Sequence, residues 1–326
     1  MNLTFATNFI SYKKPISMIT STSKKLLGLL KEVDGEKSVD EPLCLHTSFR
    51  VGGKADIFFS PINEVSLITA VKIANKMDVP IFILGNGSNL LIRDGGIHGL
   101  VITLKKLKGE IESKKMGRNI FLLTFPAGIL MPQLVRYTIN MSLRGLESLI
   151  GVPGTLGGAL KMNAGAHGSE IGDVVHSVKM VNMKGEARKF NKNEIRFYYR
   201  GAEFLEEGIF LKATLKLEKI NKDDLLQKVK MLLKKRNSHQ PSQSGAGSIF
   251  KNPTGHYAGQ LIDLAGLKGF AIGDAVVSTK HANFILNRGN AKAKDIEGLI
   301  RHIQKKVMDK TGISLEPEIV FAGEPE

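Results

Sequence analysis

Apolar positions recur along the chain at two spacings, and the switches between them mark out its elements. Residues 55–61 (ADIFFSP) predict a strand that Pro61 ends, because proline donates no ladder hydrogen bond. Residues 63–78 (NEVSLITAVKIANKMD) put apolar side chains at helical spacing, with Asn63 as N-cap. Residues 79–85 (VPIFILG) predict a buried strand, which completes a β–α–β unit and a small α/β lobe. From Leu84 to Leu217 glycine turns separate short strand-like runs: NLLI, LVITL, IFLLTF, SVKMVNM and IFLKATLKL, with one helical insert at 132–141. This stretch predicts a second α+β lobe.

A third region is expected from about Asp223. There DDLLQKVKMLLKKR sets Leu225, Leu226, Val229, Leu232 and Leu233 on one helical face, and its lysines form the solvent side. A further helix is expected over 293–309, and ISLEPEIVF (313–321) as a closing strand. Before the first lobe, residues 1–31 hold five lysines and no acid precedes Glu32. Such a leader matches either an organelle transit peptide or an extension running into a helix near 24–33. Lys13 and Lys14 interrupt its apolar stretch and argue against a secretory signal.

Composition changes this picture little. No apolar run approaches the roughly 18–20 residues of a membrane helix, and the single Cys44 fits a reducing compartment. It also excludes cysteine-rich metal sites, and no histidine spacing suggests a metal. The net charge of +15 suits a polyanionic ligand. Nucleic acid is the weaker candidate, because aromatics are 6% of residues, tryptophan is absent and the basic residues are dispersed.

The chemistry concentrates in two glycine loops. In residues 83–102 (ILGNGSNLLIRDGGIHGLVI) Gly85 and Gly87 permit left-handed backbone, while Asn86, Ser88 and Asn89 add donors. Such a loop can cradle a diphosphate with its amides or can be a plain hairpin turn. It is neither Walker A nor the Rossmann fingerprint, since a strand follows it. The second, residues 151–173 (GVPGTLGGALKMNAGAHGSEIGD), holds seven glycines. Each would cost up to ~1 kcal/mol inside a helix or strand, so backbone lying against a large flat ligand is expected. Together the loops suit a dinucleotide bearing a ring system.

Seven segments, in order, are recognisable: HTSFRVGGKAD, LGNGSNLLIRDGG, GLESLIGVPGTLGGALKMNAGAHG, YYRGAEF, GAGSIFKNP, AGLKGFAIGDAVVSTKHANFILN and LEPEI. From about Leu43 to Gly323 the chain resembles the UDP-N-acetylenolpyruvoylglucosamine reductase (MurB) family, in its shorter form. Three positions depart from the family pattern: Lys54 for proline, His167 for tyrosine and Ala202 for serine.

The resemblance implies an α+β flavoprotein of the FAD-binding PCMH, or vanillyl-alcohol-oxidase, type. After a leader at 1–40, a two-lobed FAD domain would span 41–218 (lobes about 41–105 and 106–218), followed by an α/β substrate-binding domain at 219–326. It implies a cytoplasmic enzyme in which NADPH reduces FAD, and FAD reduces UDP-N-acetylglucosamine enolpyruvate. For FAD it implies Gly85, Asn86, Gly87, Ser88, Asn89 and Leu90 in the first loop. In the second it implies Gly151, Val152, Pro153, Gly154, Thr155, Gly158, Ala159, Asn163 and Gly165. Arg200 and Glu318 would stabilise the enolate-like charge, and Ser248 would donate the proton. Tyr199, Arg236, Lys251 and Asn252 would meet the substrate. Read alone, Arg200 suits a surface ion pair, Glu318 an exposed strand position and Ser248 a backbone cap. The alternatives to the reductase are another FAD enzyme of the superfamily and a basic nucleotide-binding protein.

Overall fold

The computed structural model of the chain describes residues 16–107, 109–241 and 245–326, with side chains from residue 21 onward. Of the expected leader, residues 1–15 lie outside the described residues. Helix α1 (Ile16–Leu30) begins and ends earlier than expected, and Leu26, Leu30 and Val33 are buried against the first lobe. The leader also gives up its last residues to structure: Gly35–Pro42 is a strand, antiparallel to Lys54–Pro61.

The first lobe is a four-stranded sheet in the order Gly35–Pro42, Lys54–Pro61, Ile97–Thr103, Ile81–Leu84. Its last three strands are mutually parallel and apolar on both faces, as parallel sheets require. Ile57, Phe59, Leu100 and Ile102 face α1 and α2 (Glu64–Lys76). Phe58, Phe82, Leu84 and Val101 line the other face with Ile92 and Ala322. Asn63 caps α2 as expected, its side chain accepting from the Ser66 amide at 2.8 Å while Ser66 Oγ accepts from Asn63 N at 3.2 Å.

The second lobe is an antiparallel sheet in the order Ala187–Asn191, Val175–Val181, Ile209–Lys219, Ile120–Pro126, Glu112–Lys115; Leu143–Arg144 also pairs with the long strand. Helix α3 (Met131–Asn140) covers it, and α4 (Leu156–Lys161) starts within the second glycine loop. A helix there was not expected. Its glycines sit in close quarters: Gly157 abuts Ala127 and Phe210, and Gly158 lies beside Thr155 Oγ1 on the cavity wall.

Helix α5 (Lys222–His239) gives its apolar face to the lobes. Leu225 and Val229 join the core that holds Phe125, Leu134 and Leu149, while Leu226 is 42% exposed. Glu147 is buried beneath the helix and accepts from Lys228 Nζ at 2.8 Å. The core of the third region begins after this helix. It contains α6 (Ala258–Leu264), strands Ala271–Ile272, Ala275–Val277 and Ile285–Asn287, and α7 (Ala293–Thr311), packed around Ile262, Ile285, Leu299 and Ile303 with Phe49, Val51 and Leu91 of the first lobe.

The closing strand is shorter than its apolar run. Val320–Ala322 alone forms a ladder, parallel to Leu90–Ile92. Pro317 has no N–H to contribute and makes one isolated bridge to Phe250.

Replacing Asn63 with alanine removes the α2 cap. It should lower stability by about 1 kcal/mol, read as a lower urea midpoint at unchanged slope.

Candidate active site

The first glycine loop is not a hairpin. The strand before it, Ile81–Leu84, pairs with Ile97–Thr103, and the strand after it, Leu90–Ile92, pairs with Val320–Ala322. The loop turns at Gly87, whose φ of 61° is left-handed and where a Cβ would collide with the His46 carbonyl and lie 2.8 Å from Thr47 Cα. Gly85 has a different reason to lack a side chain: a Cβ there would lie 2.8 Å from Thr155 Oγ1 in the second loop. The two loops therefore form one wall.

That wall encloses a cavity of about 520 Å³, within the range of small-molecule and cofactor sites. Gly85 through Leu90, Val152 through Thr155, Gly158, Ala159 and Gly165, all expected at the cofactor, line it. Leu104, Ala127, Phe210 and Phe284 supply apolar surface. Among the described residues, the amides of Gly85 through Asn89 donate no hydrogen bond. The first-turn amides of α4 are taken instead, by Ile129 O, Ala127 O and Thr155 Oγ1. Diphosphate-binding capacity thus belongs to the first loop, and apolar surface for a ring system lies beside it. The residues fit an FAD.

Arg200 and Glu318 meet at the rim of this cavity. Arg200 Nε donates to Glu318 Oε1 at 2.6 Å, with the side chains only 20% and 15% exposed. Arg200 occupies a two-residue turn between Ile195–Tyr198 and Gly201–Phe204, with a left-handed φ of 62°. An arginine held there costs of order 1 kcal/mol or more. Its guanidinium also lies 4.8 Å from the centre of the Tyr199 ring. Burial pushes the Glu318 carboxyl above its ordinary value, and Arg200 only partly counters this. The pair also lines a second, larger cleft of about 1450 Å³, so it stands where the two spaces meet.

Ser248 lines the smaller cavity, and its hydroxyl has no partner among the described residues. Arg236 reaches in from the end of α5. Its guanidinium is likewise without a partner among the described residues, and its stem passes close to Gly151. Lys251 faces only the larger cleft, paired with Glu316 at 2.6 Å.

Four expected contacts lie off both cavities. Gly151 packs against Arg236, and Tyr199 is exposed, its hydroxyl 3.5 Å from the Asn252 amide. The Asn252 side chain caps α6, accepting from Ala258 N at 3.0 Å. Asn163 is fully buried: its side chain donates to Glu170 and to the Tyr198 carbonyl (3.0 Å) and accepts from Gly172 N (3.1 Å). Placed this way, Asn163 holds the strand that leads into Arg200.

Residues missed from the sequence include Lys161 and Met162, which line both spaces, and His167, whose imidazole is held below its usual pKa by burial and by Lys235 and Arg236. Among the described residues no three metal-ligating side chains cluster.

A two-lobed α+β unit whose glycine loops wall a dinucleotide-sized cavity defines a flavin-binding protein. An FAD-binding-domain family model matches residues 55–191, and the C-terminal domain of UDP-N-acetylenolpyruvoylglucosamine reductase matches residues 240–322. The reductase of Clostridium kluyveri is 40% identical over 88% of this chain and 93% of its own, and that of Caldanaerobacter subterraneus 41% over 92% and 97%. The crystal structure of the Thermus caldophilus reductase (MurB) superposes with a TM-score of 0.74 at 34% identity, covering 88% of this chain and 98% of that one. The chain belongs to the UDP-N-acetylenolpyruvoylglucosamine reductase family.

Two outcomes follow from this geometry. Gly87→Ala forces the first loop away from His46 and should yield folded protein that purifies without yellow flavin absorbance, checked by its visible spectrum and melting curve. For Glu318 the folded state favours the protonated form. Its contribution to stability is therefore fully present below about pH 4.3, the ordinary glutamate value, and is lost as the pH rises through the elevated folded value. Glu318→Gln cannot ionise, so the melting temperature of the variant relative to the parent should climb between acid and neutral pH.

Proposed function

We propose that the chain carries out the reaction its family is named for, the NADPH-dependent reduction of the enolpyruvyl ether of UDP-N-acetylglucosamine to UDP-N-acetylmuramate for peptidoglycan. The observation that carries this reading is the convergence of Arg200, Glu318 and Ser248 on the cavity walled by both glycine loops. In this reading the two glycine loops would hold an FAD, which would supply hydride chemistry drawn from NADPH at the terminal alkene carbon.

The remaining work falls to side chains. Hydride addition leaves an electron pair on the adjacent carbon, delocalised into the substrate carboxylate. Arg200 offers that carboxylate a fork of charged donors already oriented by Glu318. Glu318 is a carboxyl itself, and a second carboxylate beside it favours its protonated form further; its raised pKa already lies in that direction. Ser248 Oγ–H then gives its proton to the carbanion, and solvent reprotonates the serine. A hydroxyl is a weak acid, but the carbanion is strongly basic and placement offsets the mismatch.

Arg236, whose guanidinium has no partner among the described residues, takes the nucleotide's diphosphate in this reading. Lys251 and Asn252 contact the substrate only with a shift, since Glu316 and the α6 cap now occupy them. The substrate-binding unit begins after α5 rather than at residue 219, because α5 packs on the lobes. The lone Cys44 is a free thiol, which supports a cytoplasmic setting.

Ser248→Ala should leave NADPH-driven bleaching of the flavin near its normal rate while slowing turnover at least ~100-fold. Rapid-mixing measurements separate the two half-reactions, and undiminished turnover would overturn the proton-donor role.

A further inference from the structure

The loop carrying Ser248 turns at one unhindered glycine and is clamped on the downstream side. Upstream lies Gly247, at φ 78° with nothing within 4 Å of where a side chain would project. Downstream, three successive peptide units are pinned. The unit joining Ser248 to Ile249 donates its N–H to the Asn283 carbonyl at 2.9 Å. In the next unit, Ile249 O accepts from Glu318 N at 2.7 Å and Phe250 N donates to Asn283 Oδ1 at 2.9 Å. In the third, Phe250 O accepts from Asn283 Nδ2 at 2.9 Å and Lys251 N donates to Glu316 O at 2.9 Å.

Asn283 supplies three of these five bonds, two from a side chain that acts as a strand partner would. Asn283 is 4% exposed and lines neither cavity. Its own amide donates to His281 Nδ1 at 3.2 Å, which fixes the turn it sits on. An aliphatic replacement would strand the Phe250 amide and carbonyl in a buried position, at a cost to local order.

We infer that Asn283 is the positioning residue of the proton donor: its carboxamide holds Ser248 at a set distance from Glu318 and the substrate alkene. The inference rests on the role proposed for Ser248. A displacement of about 1 Å can cost 10²-fold in rate, so the effect belongs to the proton-transfer half-reaction.

The test uses the FAD-loaded enzyme carrying Asn283→Ala, Asn283→Asp, Ser248→Ala and the Asn283→Ala/Ser248→Ala pair. Asn283→Ala should faster exchange the Phe250 amide hydrogen, a readout independent of turnover. It should leave flavin reduction by NADPH within about 2-fold of normal and slow flavin reoxidation by the enolpyruvyl nucleotide about 10- to 100-fold. In the Ser248→Ala background the same change should cost less than about 3-fold, because the two residues act as a unit. Asn283→Asp keeps the acceptor for Phe250 N but confronts Phe250 O with a carboxylate, until protonation restores a donor. Its rate relative to the parent should recover as the pH falls. The nearby His281 and Glu318 titrate in both proteins, and the charge of Lys251 is common to both, so these groups largely cancel in that ratio.

Equal losses in both half-reactions, an unaltered Phe250 exchange rate, or a full additional loss in the Ser248→Ala background would overturn the assignment. Normal turnover by Ser248→Ala alone removes the proton-donor reading itself, a result distinct from these. If Asn283→Ala fails to fold, the pH-dependent recovery and Phe250 exchange of Asn283→Asp decide the matter.

Discussion

The site depends on one pairing, the parallel addition of Val320–Ala322 to Leu90–Ile92. Leu90 follows directly on the first glycine loop, and Glu318 precedes Val320 by two residues. Parallel register therefore runs Glu318 alongside Ser88, beside the expected diphosphate cradle. An antiparallel return of the same strand would carry Glu318 past Ile92, away from both the loop and Arg200. Hydrogen bonds on either side fix the register: Val320 N to Asn89 O at 2.9 Å, Asn89 Nδ2 to Glu318 O at 3.1 Å, and Arg93 N to Ala322 O at 2.8 Å. Arg93 adds an ion pair to Glu297 of α7 at 2.9 Å, largely buried on both sides. The last strand thus joins the third region to the cofactor wall and sets the carboxyl between them.

Against that frame Arg200 is held at some cost. Its left-handed turn position would suit glycine or asparagine, and a strained backbone persists only where surroundings over-determine it. Here they do. The buried Asn163 ties the preceding Tyr198 carbonyl to α4 and to the hairpin at 165–170, while Glu318 and the Tyr199 ring take the guanidinium. Misplacing any of these would release the arginine from the seam between the two cavities. Asn163 was expected at the cofactor, and its actual place explains why an amide is suited to that position: fully buried, the side chain donates and accepts at once.

Elements whose signal is local were legible in the sequence. Helix α2 announced itself through Asn63 and its apolar spacing, and the two glycine loops through a density that regular structure tolerates poorly. What escaped depends on partners distant in the chain. Gly85 lacks a side chain because of Thr155, and the apolar face of α5 does not declare which core it will join. Asn252 and Asn163 carry the same amide as a ligand contact would, so nothing local separates a cap or a buried clamp from a binding residue. ISLEPEIVF has the composition of a strand, yet Pro317 and the crossing from one region to another leave only its end in a ladder.

The same distinction governs the charge. A net +15 describes the whole surface, where exposed lysines are screened within about 10 Å at ordinary ionic strength. The charges that matter for an anionic ligand are those withdrawn from water. Arg236 is one, its burial opposing its charge without abolishing it. Lys161 is another, lowered by burial and facing both spaces. Arg200 is neutralised by Glu318 until that carboxyl takes a proton. A cavity built this way presents its cations unevenly: the Arg236 guanidinium has no partner among the described residues, while Arg200 is held by Glu318 for as long as that carboxyl keeps its charge. Under the proposed reaction, the burial that raises the Glu318 pKa would let one arginine serve both as a structural ion pair and as a partner for a second carboxylate.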